Sequence, residues 1–306
     1  MENGSAEKSA ITLDVYAGVE RTRLEAHRKA SLELINTLRP AANLSVLKFD
    51  ESLNKAAQAH ANYATAHHSM THIEGKEKAG FSGVLPSQRA EAFGYPNISV
   101  GEVIASTFDE PARGTQFLID APFHRATLLS PNLDEVGIGV TDDYTVINPG
   151  TKKFGEMLKD RDIVYYPSHG QKEIPAFWLA NESPNPLSYY MQQGAEVGYP
   201  ISISTSYGNK LIHHSAAITD ASGNPVDFYL VDTNKQGADE IILLIPKKPL
   251  QGKTTYTVTA SFSETNSFNE EMGIPASEFT KTWSFTTTKA AAAANNSKTK
   301  QTRPSK

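Results

Sequence analysis

The stretch that decides the fold of the first half runs Asp50-Glu-Ser-Leu-Asn-Lys-Ala-Ala-Gln-Ala-His60 and continues Ala61-Asn-Tyr-Ala-Thr-Ala-His-His68. Leu53, Ala56, Ala57, His60, Ala61 and Ala64 recur at steps that line one face of a helix. Asp50 stands where a side-chain oxygen can cap the first free N–H groups. Upstream, Glu20 to Leu38 carries Leu24, Leu32, Ile35 and Leu38 at helical intervals, and Pro40 marks its end. Downstream, two short helices are predicted near Ser87–Phe93 and Glu110–Ile119. Val136-Gly-Ile-Gly-Val140 and Tyr144-Thr-Val-Ile147 then read as paired strands around the turn residues Asp142 and Asp143. Helices mixed with few strands indicate an α+β unit.

Past residue 150 the pattern changes. Pro167, Pro175, Pro184 and Pro186 punctuate a stretch without helical period. Strand-like runs follow at Ile201–Ser206, Ser215–Thr219, Phe228–Val231, Ile241–Ile245, Thr255–Ser261 and Lys281–Thr287, separated by turn residues such as Ser222-Gly223-Asn224-Pro225. Short alternating strands at this density predict an all-β sandwich. The chain thus divides into a polar leader or linker (1–19), an α+β domain (20–150), a Pro-rich connecting segment (151–185), a β-sandwich (186–288) and a basic, disordered tail (289–306). The tail holds Lys289, Lys298, Lys300, Arg303 and Lys306 with no acid, and reads as a solvated end or as a tether to an anionic surface polymer.

With 306 residues the chain buries enough surface to hold a core without cystines, and it has none, since cysteine is absent. That excludes thiol nucleophiles, iron–sulfur clusters and zinc–thiolate sites. A net charge of -5 argues against nucleic acid as a partner, and no apolar run is long enough for a transmembrane segment. The opening MENGSAEKSA shows no signal-peptide pattern.

Nucleotide-binding loops, the GxSxG elbow and HExxH are missing. The first half instead scatters His27, His60, His67, His68, His72 and His124 among Glu74, Glu77, Glu91, Glu102, Asp109, Glu110 and Asp120. Imidazole beside carboxylate can ligate a metal or shuttle protons. His60, on the apolar helix face, reads as a hydrogen-bonded core histidine. His67 and His68 fall at the helix end, where they meet free carbonyls. Arg89 and Arg125 read as partners of local acids.

Taken in order, Leu34-Ile-Asn-Thr-Leu-Arg39, Leu47-Lys-Phe-Asp50, Ala56-Ala-Gln-Ala-His-Ala61, Ser69-Met-Thr-His72, Arg89, Phe93-Gly-Tyr95, Gly101-Glu102, Ala121-Pro-Phe-His-Arg125, Leu129-Ser-Pro131 and Val136–Val140 resemble the CAP superfamily of cysteine-rich secretory, antigen and pathogenesis-related proteins, in its bacterial form. The resemblance implies an α-β-α sandwich with a groove where two histidines and two acids can hold a divalent cation, zinc or calcium/magnesium. His72 and His124 match the histidine positions and Glu102 the acid after glycine, while Val103 stands where the family commonly has asparagine. The fourth member is open between Asp120, three residues past Phe117, and an alignment that places Leu118 and Ala121 there. Gly198-Tyr-Pro-Ile201, Leu250-Gln-Gly-Lys-Thr-Thr-Tyr256 and Trp283-Ser-Phe-Thr-Thr287 resemble a bacterial Ig-like module.

The resemblance implies an extracellular or cell-wall-associated protein that binds a small apolar or peptide-like ligand, or a cell-surface component, with the Ig-like part as spacer or adhesion module. Two alternatives stand beside it. One is a metal-dependent hydrolase of peptide or cell-wall substrates, using His72, His124 and Glu102. The other is a purely structural surface protein.

Overall fold

A computed structural model of the chain describes residues 4–96, 99–152, 163–191, 193–231 and 233–289, with side chains described from Thr22 onward. Helix α1 (Gly4–Ala41) is followed by β1 (Lys48–Phe49), α2 (Glu51–His67), α3 (Pro86–Ala92), β2 (Ser99–Val100), β3 (Val103–Ser106), α4 (Arg113–Asp120), α5 (Pro122–Leu128), β4 (Glu135–Val140) and β5 (Tyr144–Thr151). Asp50 caps α2 as expected, accepting the Leu53 N–H at 3.0 Å, a bond worth about 1 kcal/mol. The polar segment expected as a leader falls largely within α1, whose Ala, Glu and Lys content favours helix. Pro40 sits inside the last turn of α1, which ends one residue later.

The five strands form one sheet in the order β1-β4-β5-β2, with β3 also paired to β5. Val136 and Ile138 of β4 bury with Ile35 of α1, Leu118 and Ile119 of α4 and Leu128 of α5. Gly137 and Gly139 point the other way, onto the backbone of α2 at Leu53 and Ala57. There Asn54 Oδ1 accepts the Ile138 N–H at 2.9 Å, and Gln58 bonds both the N–H and the carbonyl of Val140. Polar side chains in the middle of α2 thus lock the helix to strand ends without leaving a buried group unpaired. At the far end of α1 the fully buried Arg39 guanidinium donates to the carbonyls of Ser45, Leu128, Ser130 and Leu133. Burial lowers its pKa to about 10, with Asp134 acting against that shift.

The second half contains β6 (Val164–Tyr166), β7 (Gln171–Ile174), β8 (Phe177–Leu179), β9 (Glu196–Gly198), β10 (Ile201–Ser204), β11 (Asn209–Thr219), β12 (Phe228–Val231), β13 (Ile241–Pro246), β14 (Thr255–Asn266) and β15 (Ser277–Thr287). Two four-stranded sheets run β12-β13-β10-β6 and β11-β14-β15-β7, and β8 pairs with β9. Tyr165 of the first packs against Phe262 and Trp283 of the second, and the Trp283 indole N–H donates to the Pro167 carbonyl at 3.0 Å.

The stretch 163–179, expected as part of a connecting segment, therefore belongs to these sheets. Its strands are only three or four residues long and form by pairing with partners later in the chain, β6 with β10, β7 with β15 and β8 with β9. Residues 290–306, with most of the basic tail, lie outside the described residues. Among the described residues no helix is long and apolar enough to cross a membrane. One apolar cluster runs from Ile35 and Val136 through Trp178 and Tyr199 to Leu244 and Trp283, so the two halves share a continuous core.

Candidate functional site

Three elements bring the site together. At the end of α2, His68 takes a left-handed conformation (φ 49°) and turns the chain into the loop that carries Thr71 and His72. Glu102 immediately precedes β3. His124 lies in the first turn of α5, behind the helix-starting Pro122.

Glu102 is buried at the centre of a hydrogen-bonded cluster. Arg89 Nη2 donates to its Oε2 at 2.6 Å and Asn148 Nδ2 to the same oxygen at 3.1 Å, while His72 Nδ1 meets Oε1 at 3.0 Å. Arg89 also donates to the carbonyls of His72, Gly83 and Val84, each at 3.2 Å. Behind it the fully buried His60 places Nδ1 at 2.9 Å from Glu74 Oε1 and Nε2 at 2.6 Å from the Thr71 carbonyl. Both partners only accept, so the two bonds together require a ring that carries both protons. Two carboxylates, a guanidinium and an imidazolium then balance one another inside the fold.

Burial pushes the Glu102 carboxyl up, but the bond from His72 and the charges of Arg89 and His60 outweigh it and hold the group below the usual carboxylate range. Glu74 is lowered in the same way, its burial outweighed by His60, the Ser82 N–H and Arg89.

His124 is held by a residue of the second half of the chain. A single oxygen, Glu182 Oε1, lies 2.9 Å from the His124 backbone N–H and 2.6 Å from its Nδ1. The Glu182 side chain is fully buried, and its second oxygen has no hydrogen-bond partner among the described residues. A carboxylate can only accept, so Nδ1 is the protonated nitrogen and Nε2 keeps its lone pair in the neutral ring. The same reasoning applies to His72 on Glu102.

His72 and His124 line one half-open cleft of about 490 Å³, together with Met70, Ile104, Ala105, Phe108, Phe117 and Leu118. Glu182 and its neighbours Asn181 and Ser183 close one side. Phe108 and Phe117 stack with centroids 4.9 Å apart and stand partly exposed. The cleft therefore offers apolar walls with two imidazoles set among them.

Asp120 is placed elsewhere. It accepts from the Tyr199 hydroxyl at 2.8 Å and from Gln116 Nε2 at 3.0 Å, and it does not line the cleft. Burial raises its carboxyl pKa above the ordinary value despite those two bonds. Glu182, not anticipated from the sequence, occupies the position beside His124. Its only sequence signal was an acid among prolines.

The donor set does not fit a resident divalent cation. With Nδ1 of each ring on a carboxylate, His72 and His124 present two nitrogens, whereas zinc sites draw three or four ligands from protein. Calcium and magnesium need several oxygens, and both oxygens of Glu102 are already engaged. Among the described residues no group of three His, Cys, Asp or Glu side chains is placed to hold a metal ion.

Residues 32–148 match the CAP family, described as the cysteine-rich secretory protein family. "Uncharacterized protein YkwD" of Bacillus subtilis (strain 168) is 25% identical over 147 residues, covering 46% of this chain and 51% of that protein. The chain thus spans about half the length of that relative. Among solved structures, an extracellular protein containing a SCP domain from Bacillus anthracis aligns with a TM-score of 0.39 at 20% identity, over 42% of this chain and 41% of that one. An outer surface protein of Borrelia burgdorferi aligns with a TM-score of 0.34 at 26% identity, over 40% of this chain and 90% of that one.

Proposed function

Because residues 32–148 form a CAP domain, we propose that the chain is an extracellular or cell-wall-associated protein that binds an apolar or peptide-like ligand in the His72–His124 cleft. The β-rich second half would act as an Ig-like spacer or adhesion module. The single observation that carries the reading is the cleft: side chains of Ile104, Phe108, Phe117 and Leu118 wall a space of about 490 Å³ whose polar lining includes the two imidazoles. Volumes of this order hold small ligands, and mostly apolar walls with a few convergent polar groups are the usual form of such sites.

A hydrolase reading is less well supported. It needs a base free to activate water, and Glu102 is tied by His72, Asn148 and Arg89. It also needs a third metal ligand, which the donor set lacks.

The test is capture of apolar compounds by the full chain from a bacterial lipid and peptide extract, read by mass spectrometry. Ala105→Trp, which fills the cleft, is expected to abolish capture, and His72→Ala and His124→Ala to weaken it. Capture that survives Ala105→Trp overturns the reading.

A further inference from the structure

The charges around the cleft are not evenly matched. Glu74 and Glu102 are offset by Arg89 and His60 within the buried cluster described above. Glu182 has no such partner: the His124 ring and backbone N–H bind one oxygen, and the other is buried and unpaired. No salt bridge to Lys or Arg reaches Glu182 among the described residues. A buried carboxylate without a counter-cation is costly, and its field is strong where water is excluded. That field passes through His124, because an imidazole whose Nδ1–H is held by a carboxylate is a better acceptor at Nε2.

Both rings facing the cleft share this arrangement. His72 and His124 each donate Nδ1–H into the protein and keep an Nε2 lone pair with no hydrogen bond from the described residues. The two imidazoles thus form a pair of acceptors, of which His124 is backed by the unbalanced Glu182 charge and His72 by a carboxylate already offset by Arg89. The aromatic wall has the same preference. The Arg113 guanidinium already lies over the Phe117 ring at 5.2 Å from its centroid, and Arg113 itself does not line the cleft.

We propose that the cleft selects apolar ligands whose polar end is a cationic hydrogen-bond donor, an alkylammonium in chemical class, over those ending in a carboxylate. Glu182, supplied from beyond the CAP domain, is the positioning residue that sets this preference. The proposal rests on the reading of the cleft as an apolar-ligand site and specifies which head group it takes. A carboxylate head would meet two lone pairs and the Glu182 charge beside the imidazoles, and would have to turn to the neutral donors of Thr71, Ser106, Asn181 and Ser183 elsewhere in the lining. An ammonium head supplies N–H groups to both Nε2 atoms and neutralises the buried charge.

The experiment compares n-octylammonium, n-octanol and octanoate, with one alkyl chain and three heads, binding to the full chain at mildly alkaline pH, above the unperturbed imidazole value. Calorimetry gives affinities, and nitrogen-15 NMR follows the Nε2 resonances of His72 and His124. Octylammonium is expected to bind at least about tenfold more tightly than octanoate, in keeping with charge-assisted hydrogen bonds, and to move both Nε2 resonances.

In Glu182→Gln the amide oxygen can still accept from His124 while the charge is gone, so the ammonium-to-carboxylate ratio is expected to fall toward unity. Octanoate binding as well as octylammonium overturns the head-group assignment and leaves the apolar cleft standing. An unchanged ratio in Glu182→Gln overturns the role of Glu182. If none of the three ligands binds, the cleft reading falls together with the assignment. The wild-type ratio decides the head-group question even if the Glu182 variant fails to fold.

Discussion

Gly139 lies against the carbonyl of Ala57 so closely that a methyl group built on it would sit 2.3 Å from the Ala57 carbonyl carbon and oxygen. Gly137 is in the same position over Leu53, at 2.0 Å from its carbonyl carbon. Helix α2 therefore rests on strand β4 backbone to backbone, and this contact sets the height at which the loop carrying His72 leaves the helix. The obstructing atoms are main-chain atoms of a helix, which cannot rotate away. Gly139→Ala and Gly137→Ala are each expected to cost about 3 kcal/mol or more, at the upper end of overpacking effects. Urea denaturation of the full chain measures this, and a loss below about 1 kcal/mol would mean that α2 can lift from the sheet at little cost.

Arg89 supports the same region by charge. Its guanidinium contacts Glu102 at 2.6 Å and the His72 carbonyl at 3.2 Å, all within a buried cluster. Removing one partner of such a cluster leaves an unpaired carboxylate in the interior. Arg89→Met is expected to destabilise by about 3–5 kcal/mol. Arg89→Lys keeps the charge but loses the forked geometry, and should lie between wild type and Arg89→Met. Equal stability of all three proteins in chemical denaturation would show that the cluster is solvated.

The acid limb of the stability curve follows from Glu74 and Glu102. Both carboxyls are lowered in the folded state, so the unfolded chain binds protons more readily. Their contribution is complete above the ordinary carboxylate value of about 4.3 and is lost as pH falls through the lowered values. Glu102→Gln should flatten stability against pH below about 4.3, where the wild type falls steeply. Parallel curves for the two proteins would contradict the assignment.

How much of this was legible in the sequence depends on how local each cause is. Helix α2 could be read in full, because its cap and its apolar face lie within one stretch and Asp50 acts three residues away. The strands from Ile201 to Thr287 were visible through alternation, although β11 and β14 run several residues longer than their alternating cores. Strands β1 and β2, of two residues each, carry no period at all and exist only through pairing with β4 and β5. The same holds for β6 to β8, whose prolines made the segment look like a connection. His60 could be read as a core histidine from its place on the apolar face. The contact between His124 and Glu182 could not be read, since it spans 58 residues and its acid lies beyond the segment that carries the family pattern.

Asp120 gives a prediction of opposite sign. Burial raises its carboxyl, so the folded state favours the protonated form, and ionisation above the ordinary value near 3.8 costs stability. Asp120→Asn removes that cost while its amide oxygen can still accept the Tyr199 hydroxyl, so stability at neutral pH should hold or rise. Asp120→Ala leaves the buried Tyr199 hydroxyl without this acceptor, and should lose about 1–3 kcal/mol. Thermal unfolding of both variants at neutral pH tests the pair. A loss in Asp120→Asn as large as in Asp120→Ala would mean that the charge itself is needed.

Arg125 decides whether the two halves unfold together. It sits in α5 next to His124, donates to the Ile119 carbonyl at 3.0 Å, and reaches the Pro200 carbonyl and Ser202 Oγ across the boundary at 3.1 Å each. Its guanidinium carbon lies 4.3 Å from the Tyr166 ring centroid and 5.7 Å from that of Tyr199, so both sheet-side aromatics cover a cation that is fully buried. A side chain bonded on both sides of a junction makes opening either side expose the same buried charge, which couples the two. The wild-type chain should therefore show one cooperative thermal transition. Arg125→Ala should split it, and hydrogen exchange in α5 should speed up well before exchange in β13 or β14 does. The same variant should release Glu182 from His124, because the turn of α5 that holds the ring loses its anchor, and the His124 Nδ1–H resonance should then exchange with water. A single transition in Arg125→Ala with that resonance still protected would place the coupling in the shared apolar core between Leu118 and Tyr199 instead.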